Sequence, residues 1–408
     1  MDAAATKSVI PRLSPRWVTA GEYLLMLLVV FYSAVWCLYT SANCNTALRF
    51  GVPLLVVLIA CGTRPISPAL WRRVGVMAVF LAVYLIATRY NAVRYLLYYL
   101  TPLLLLTLYA GLQEDGGVGL LHKLSDIMVV LTAFSLFFYL FGTILRWIPK
   151  TDLAAFYWGG GWRTCPSYFH LYYEAQQITF FGFDLPRNCG VFPEAPGFAV
   201  FLVIATAAEV LLRARPRLWR CVLFAAATVT TVSVKAFLLI AAVFILRYVL
   251  CPPRWLSRRL RLWLFPLLGV VMTLAATVLL WDKLQSVSGV MRLDDVAACL
   301  RAFATAPLFG TGYWNDASII PFFSYPDRYN NGLSMGAAVI LAQGGLYLST
   351  LYWWPVVGAI YRRGGDRRRW IAVALIYAGL LFSGNITYHF LTLLLIAVFL
   401  SVGREGVS

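Results

Sequence analysis

The chain has 408 residues, of which 61% are hydrophobic and only 12% are charged. Soluble globular proteins carry about 25% charged residues, so the composition excludes an ordinary soluble domain and indicates an all-α polytopic membrane protein. The net charge of +17 does not indicate nucleic acid as a partner, because the arginines stand in short clusters between apolar runs. Continuous apolar runs such as Leu24 to Val30 exclude a transmembrane barrel, whose strands alternate apolar and polar residues.

In chain order, the apolar runs predict about twelve transmembrane helices in one integral domain over residues 1–408. The expected spans are 21–40, 47–62, 74–88, 93–112, 126–146, 195–212, 219–233, 236–250, 262–281, 333–360, 370–384 and 386–401. The first is interpreted as a retained span and not as a cleaved signal peptide. Because several spans are short, the last two are also compatible with one re-entrant hairpin. An even number of crossings places both termini on the same side.

Charge predicts the orientation of these spans. Most Lys and Arg residues lie in short connections on one side, as in Arg213 to Arg220 and Arg362 to Arg369, and this side is expected to be the cytoplasm. The opposite, periplasmic side carries two long connections, 147–194 and 282–332, rich in aromatic residues, Pro and Gly. Long connections in compact proteins tend to be functional, so the site is expected there. Their aromatic residues fit interfacial anchoring alone, or anchoring together with sugar stacking.

The first of four notable segments on the periplasmic side runs from Arg187 to Ala199. Pro196 and Gly197 suit the first turn of a helix, where a missing N–H costs little. The helix N-terminus favours an anion, with Arg187 just outside it and Glu194 at it. The alternative is that Arg187 is an interfacial anchor and Glu194 a helix cap.

Two further segments carry cations. Ser233 and Lys235 lie in a hydroxyl-rich turn between two spans, which is otherwise only a polar hairpin turn. Residues 291–303 have the spacing of an amphipathic helix on the membrane surface, with Arg292 and Asp295 one turn apart. Pro-Leu-Phe-Gly-Thr-Gly at 307–312 ends this helix and leads to Tyr313.

The fourth segment places two amides, Asn330 and Asn331, before the apolar run that contains Gln343-Gly344-Gly345-Leu346. Such residues also serve as helix caps. Three cations near spans, Arg187, Lys235 and Arg292, are therefore expected on one side of the membrane. Arginine binds phosphate through a planar, permanently charged fork, so we expect the three to converge on one diphosphate.

In this order, the segments resemble the O-antigen and exopolysaccharide polymerase/ligase superfamily of bacterial inner-membrane glycosyltransferases. Arg187, Gly190, Phe192, Pro196 and Gly197 match its Arg-x-x-Gly-x-Phe run before a helix. Ser233-Val234-Lys235 is similar to its second element, and Arg292 with 307–312 to its third. Asn330-Asn331 and Gly345-Leu346 occupy the place of the fourth, in which ligases typically have a histidine. Glu194 before Pro196-Gly197 resembles polymerases more than ligases.

The resemblance implies a GT-C-type fold and a metal-independent, cofactor-free, inverting transferase of the bacterial inner membrane, with its site facing the periplasm. Donor and acceptor would be undecaprenyl-diphosphate-linked glycans, with membrane lipid and a chain-length regulator protein as further candidate partners. Arg187 and Arg292 would stabilise the diphosphate with help from Lys235, and Glu194 would be the base, followed by Asp294, Asp295 or His170. Ser233, Asp295, Asn330, Asn331 and Tyr313 are the expected substrate-binding residues. The alternative is that the carboxylates only orient the arginines.

Two rival functions stay open. One is an O-antigen ligase, which transfers finished glycan to lipid A-core, and the other is a flippase or transporter of lipid-linked oligosaccharide. A separate hypothesis concerns Cys165 and Cys189, which both lie in the first long connection. In an oxidising compartment these two cysteines could close the connection with a disulfide.

Overall fold

The computed structural model describes residues 14–33, 42–62, 66–88, 93–158, 161–180, 183–250, 287–325, 332–362 and 367–402, with isolated positions between 252 and 277. Most of these residues are helical. Helices α1 to α12 span Pro15–Tyr32, Ala42–Cys61, Pro68–Thr88, Val93–Leu112, Val118–Phe138, Ala195–Ala207, Leu218–Thr230, Val234–Leu250, Val287–Thr305, Gly336–Arg362, Arg367–Ser383 and Phe390–Ser401. Helices α5 and α6 each continue into a π-helical turn, Tyr139–Ile144 and Ala208–Leu212.

A helix covers each predicted span except 262–281, which lies almost wholly outside the described residues. Within the described chain, three helices are long and apolar enough to cross a membrane: Pro68–Thr88, Val118–Ile144 and Ala195–Leu212. Four shorter apolar helices accompany them. The structure therefore supports a mainly helical membrane protein, and the number of twelve spans stays a prediction.

Helices α6 and α12 form the centre of the bundle. Nearly all their side chains are buried, as expected for helices that are hydrophobic on every face. Helix α6 packs against α5, α7 and α8, whereas α12 packs against α1, α4 and α10. The N-terminus of each central helix is thereby held at a fixed place among its neighbours.

The chain is mainly helical, as predicted, but the described residues of the first long connection also contain five short strands. Strands β1 to β3, Asp152–Trp158, Gly161–Tyr168 and Tyr172–Tyr173, form an antiparallel sheet in that order. Strands β4 and β5, Gln177–Phe180 and Phe183–Pro186, pair as a hairpin. The local pattern has period two, since Ala154 and Phe156 are buried while Leu153 is 76% exposed.

Contacts sort the helix ends into two faces. On the face that carries the arginine clusters, the basic face, the Tyr23 hydroxyl donates to Asp126 at 2.8 Å and Arg362 donates to the carbonyl of Phe399 at 2.6 Å. On the face that carries the long connections, the loop face, Asn188 N donates to the carbonyl of Thr230 at 2.9 Å. The loop face contains every predicted site residue that the structure describes.

The segment 307–312 fills a break in α10. Gly345 has φ 59° and ψ −164° inside this helix, and the interrupted helix pairs instead with the segment. Thr311 N and Gly312 N donate to the carbonyls of Ala342 and Gln343, each at 3.0 Å, and Tyr347 N donates to Leu308 at 2.8 Å. Broken backbone within an apolar helix is tolerated where protein satisfies it.

The close approach explains why both segments contain glycine. A Cβ on Gly310 would lie 2.4 Å from the carbonyl of Gln343, and one on Gly345 would lie 2.5 Å from the nitrogen of Gly310. Both glycines also have positive φ, which side chains disfavour. The backbones of the Pro307–Gly312 segment and the Gln343–Leu346 segment therefore pack directly against each other.

A buried ion cluster joins α1, α5 and α6 to α7 on the basic face. Glu209, in the π turn after α6, is fully buried and lies 2.8 Å from Arg213 Nε. Asp126 accepts from Arg213 Nη2 at 2.9 Å and also pairs with Arg220. Two carboxylates thus balance two guanidinium groups in a site with little solvent.

Replacing Glu209 with glutamine is expected to destabilise the protein by about 3–5 kcal/mol, because it leaves the buried Arg220 and the half-buried Arg213 against one carboxylate. Thermal unfolding in detergent measures the change. The matched control is Asp152→Asn, which affects an exposed carboxylate 3.6 Å from His170 and should cost at most about 1 kcal/mol. Equal melting temperatures for the two variants would contradict a stabilising role for the cluster.

Candidate functional site

Arg187 and Gln176 together link three segments of the loop face. Its Nε donates to the carbonyl of Thr231 at 2.9 Å, and its Nη1 donates to Gln176 Oε1 at 3.3 Å. The same Gln176 oxygen accepts from Ala195 N, the first amide of α6, at 3.2 Å. Arg187 therefore links the first long connection to the α7–α8 turn, and Gln176 extends that link to α6.

The α7–α8 turn held by Arg187 is strained. Val232 has φ 45°, a conformation that a β-branched side chain rarely adopts. Arg187 Nη2 lies 3.5 Å from the Val232 carbonyl, and Asn188 Nδ2 donates to Thr230 Oγ1 at 2.9 Å. These contacts place Ser233 and Lys235 beside the start of α6.

Glu194 precedes α6, as predicted, but its carboxylate does not cap the helix. Its main-chain carbonyl accepts from Gly197 N at 3.1 Å and from Phe198 N at 3.2 Å. Since Gln176 occupies the amide of Ala195 and Pro196 has no N–H, the helix N-terminus offers an anion fewer donors than expected. The Glu194 side chain is available for another role.

Lys235 lies in the first turn of α8, and its side chain reaches the connection between α11 and α12. A Cβ placed on Gly384 would lie 2.7 Å from Lys235 Nζ. Gly384 is held in place, because its carbonyl accepts from Gly336 N at the start of α10, at 3.1 Å. Lys235 therefore connects α8 with the loop-face ends of α10 and α11.

Arg292 lies in the second turn of α9. The predicted amphipathic helix is present, but its leucines point outward: Leu293 and Leu300 are 57% and 49% exposed. The opposite side, with Asp294 and Asp295, is buried where α9 packs on α10. Within the described part of the chain, Arg292 makes no hydrogen bond or ion pair.

Arg187, Lys235 and Arg292 converge around Glu194. Burial raises the pKa of Glu194, while Lys235, Arg187, Arg292 and Arg163 act in the opposite direction, in that order of strength. Burial lowers the pKa of Arg187, and the charge of Arg292 lowers it further, whereas Cys189 and Glu194 raise it. Such mutual effects require charges that lie close together.

The cluster carries an excess of positive charge. Four cations act on the charge of Glu194, and among the described residues none of Arg187, Lys235 and Arg292 lies within 4 Å of a carboxylate oxygen. Arg187, Glu194, Lys235 and Arg292 are all half-buried. This arrangement can hold a doubly charged anion with several oxygen acceptors.

Other predicted site residues have different environments. Ser233 and Tyr313 are buried, the latter with its ring centroid 4.4 Å from that of Tyr388. Asp294 accepts from Ser324 N at 2.9 Å, and Asp295 accepts from Ser334 N at 3.0 Å. Both carboxylates therefore hold the segments that lead away from α9.

The structure bears on three further predictions from the sequence. Asn330 and Asn331 lie outside the described residues. His170 is exposed and faces Asp152 at the far end of the strands, so it is a poor candidate for the base. Cys165 and Cys189 are both buried free thiols, so the structure does not form the disulfide considered above.

The structure adds two residues that sequence reasoning missed at this site. Arg163, on β2, acts on the charge of Glu194. His389, directly before α12, interacts electrostatically with Lys235, and its buried Nδ1 has no hydrogen-bond partner in the described structure. The available signal for His389 was its rarity, since the chain has only three histidines, and its place in a polar break between two apolar runs.

Among the described residues, no group of three or more His, Cys, Asp or Glu side chains is placed to hold a metal ion. No model of a known protein family matches the chain, and no curated protein sequence matches it.

Proposed function

We propose that the protein is a polysaccharide polymerase of the bacterial inner membrane with its active site on the periplasmic side. The donor is a glycan linked to undecaprenyl diphosphate, and the acceptor is a sugar hydroxyl of a second lipid-linked repeat unit. The observation that carries this proposal is the convergence of Arg187, Lys235 and Arg292 around one carboxylate at the loop face. The resemblance to O-antigen polymerases and ligases supplies the substrate class.

In the proposed reaction, the acceptor oxygen attacks the anomeric carbon of the donor and the bond to the diphosphate oxygen breaks. Negative charge develops on the leaving diphosphate, where Arg292 and Lys235 stabilise it. Glu194 accepts the proton of the acceptor hydroxyl, a role that its raised pKa favours. Attack opposite the leaving group inverts the anomeric centre.

Arg187 has a mixed role in this scheme. Because Nε, Nη1 and Nη2 already face protein oxygens, it chiefly positions the α7–α8 turn that carries Lys235. Its positive charge still adds to the field felt by the diphosphate. Arg292 and Lys235 are the direct contacts.

One observation keeps the ligase as a second candidate. Ligases of the resembled superfamily typically have a histidine in the fourth motif, and His389 interacts electrostatically with Lys235 although it is far from that motif in sequence. With His389 as the base and lipid A-core as the acceptor, the same cations would serve a single transfer.

Chain growth by the purified protein in nanodiscs tests the proposal. The substrate is lipid-linked repeat unit from the source strain, with and without lipid A-core. A ladder of products from repeat unit alone is expected of a polymerase. One addition to lipid A-core identifies a ligase, and absence of any new glycosidic bond contradicts both and favours a transporter.

A further inference from the structure

A second polar site lies on the loop face, at the end of α5. The π turn Tyr139–Ile144 and the strands enclose a cavity of about 570 Å³, within the range of small-molecule sites, about 300–1,000 Å³. π-Helical turns occur frequently at functional sites. Two residues after this turn, Arg146 lines the cavity with φ 57°, a conformation that costs energy in a residue with a side chain.

Glu174 forms a fixed acceptor in the cavity wall. It accepts from the hydroxyls of Thr143 at 2.9 Å and Tyr168 at 2.7 Å, and Lys150 Nζ lies 2.8 Å from its other oxygen. Burial raises the pKa of Tyr168 and the bond to Glu174 raises it further, so this hydroxyl stays a donor. Three contacts therefore hold the Glu174 carboxylate in this wall.

The rest of the lining is mixed: Ile148, Pro149 and Pro186 are apolar, and Arg146, Gln177 and Asp184 are polar. Arg146 and Gln177 are exposed, and neither side chain has a hydrogen-bond or ion-pair partner in the described part of the chain. Within the described residues, the Asp184 side chain accepts one hydrogen bond, from Thr179 at 2.6 Å. Two cations and two carboxylates line the cavity, so the charges balance and the lining offers both donors and acceptors.

The cavity and the cation cluster share a wall. Gln176 faces the cluster through its bond to Arg187, whereas Gln177 lines the cavity. Successive residues of an extended chain point to opposite sides, and the partner strand repeats the arrangement with Pro186 at the cavity and Arg187 at the cluster. A ligand in the cavity therefore lies one strand away from the proposed reaction centre.

We propose that this cavity is a subsite for the glycan of the lipid-linked substrate, binding sugar hydroxyls at a distance from the reacting bond. A balanced set of donors and acceptors suits a hydroxyl-rich, uncharged ligand, whereas a lipid phosphate would require excess positive charge. This inference rests on the proposed function, because it takes the glycan as the substrate.

The test uses two probes on the full chain in nanodiscs: inorganic diphosphate, and the repeat-unit oligosaccharide of the source strain freed of lipid by mild acid. Arg146→Ala combined with Gln177→Ala should weaken oligosaccharide binding about tenfold, through the loss of two contacts, and leave diphosphate binding unchanged. Arg292→Ala should weaken diphosphate binding and leave oligosaccharide binding unchanged. Melting temperatures equal to that of the wild type show that the variants fold. The control is Thr164→Ala, which replaces an exposed residue of β2.

The two failures are distinguishable. Oligosaccharide binding that is absent in the wild type, or unchanged in the Arg146 and Gln177 variant, overturns the glycan subsite while the diphosphate result stands. Absence of diphosphate binding by the wild type overturns the proposed function itself, whether or not the oligosaccharide binds.

Discussion

Replacing Arg292 with alanine is expected to lower the rate of chain elongation by about 10²–10³-fold, the usual cost of removing one donor to a developing oxyanion. Arg292 has no protein partner among the described residues, so its removal leaves no buried group unpaired and the protein should still insert and fold. Arg292→Lys should retain little activity, because lysine cannot make a two-pronged contact with phosphate. The measurement is product formation from lipid-linked repeat unit.

Arg301 provides a matched control on the same helix. Its Nη1 donates to the carbonyl of Phe322 at 2.8 Å, and the contact is exposed. Arg301→Ala removes the same charge from α9, away from Glu194, and should keep activity within a fewfold of the wild type. Normal long-chain product from Arg292→Ala, or equal losses in the two variants, would remove Arg292 from the reaction.

Replacing Glu194 with glutamine is expected to slow elongation by about 10²–10⁴-fold, the contribution of a positioned general base. The base must be ionised, so activity should fall as the pH drops through its pKa. Because burial raises the pKa of Glu194, the midpoint of this acid limb should lie at a pH above 4.5, the usual pKa of a glutamate carboxyl. The glutamine variant should lose the limb, and kcat/KM measured against pH shows whether it does.

His389→Gln separates the two candidates for the base. If Glu194 accepts the proton, the His389→Gln variant keeps the acid limb of the pH profile. Any decrease in its rate then comes only from a changed position of Lys235. The assignment fails if the histidine variant loses the limb and Glu194→Gln retains it. If both variants retain the limb and the rate, Glu194 only balances the charge of the cations.

The positions of most helices could be predicted from the sequence alone. Hydropathy and helix-breaking residues act locally, so helices were predicted correctly over eleven spans, and Pro196-Gly197 correctly marked the start of α6. Strands were missed because the alternation in 152–158 is short and lies among aromatic residues. The packing of Gly310 against Gly345 was also missed, because it arises only from the close approach of two segments that are distant in sequence.

The sequence by itself determined the kinds of side chain available for the site: arginines, a lysine and a carboxylate next to apolar runs. Tertiary structure decided how each is used. Arg187 binds the turn at Thr231, and Lys235 reaches Gly384 beside His389, although these partners are far apart along the chain. Such pairings follow from how helices pack, and packing depends on the shape of whole faces, which no local pattern of residues specifies.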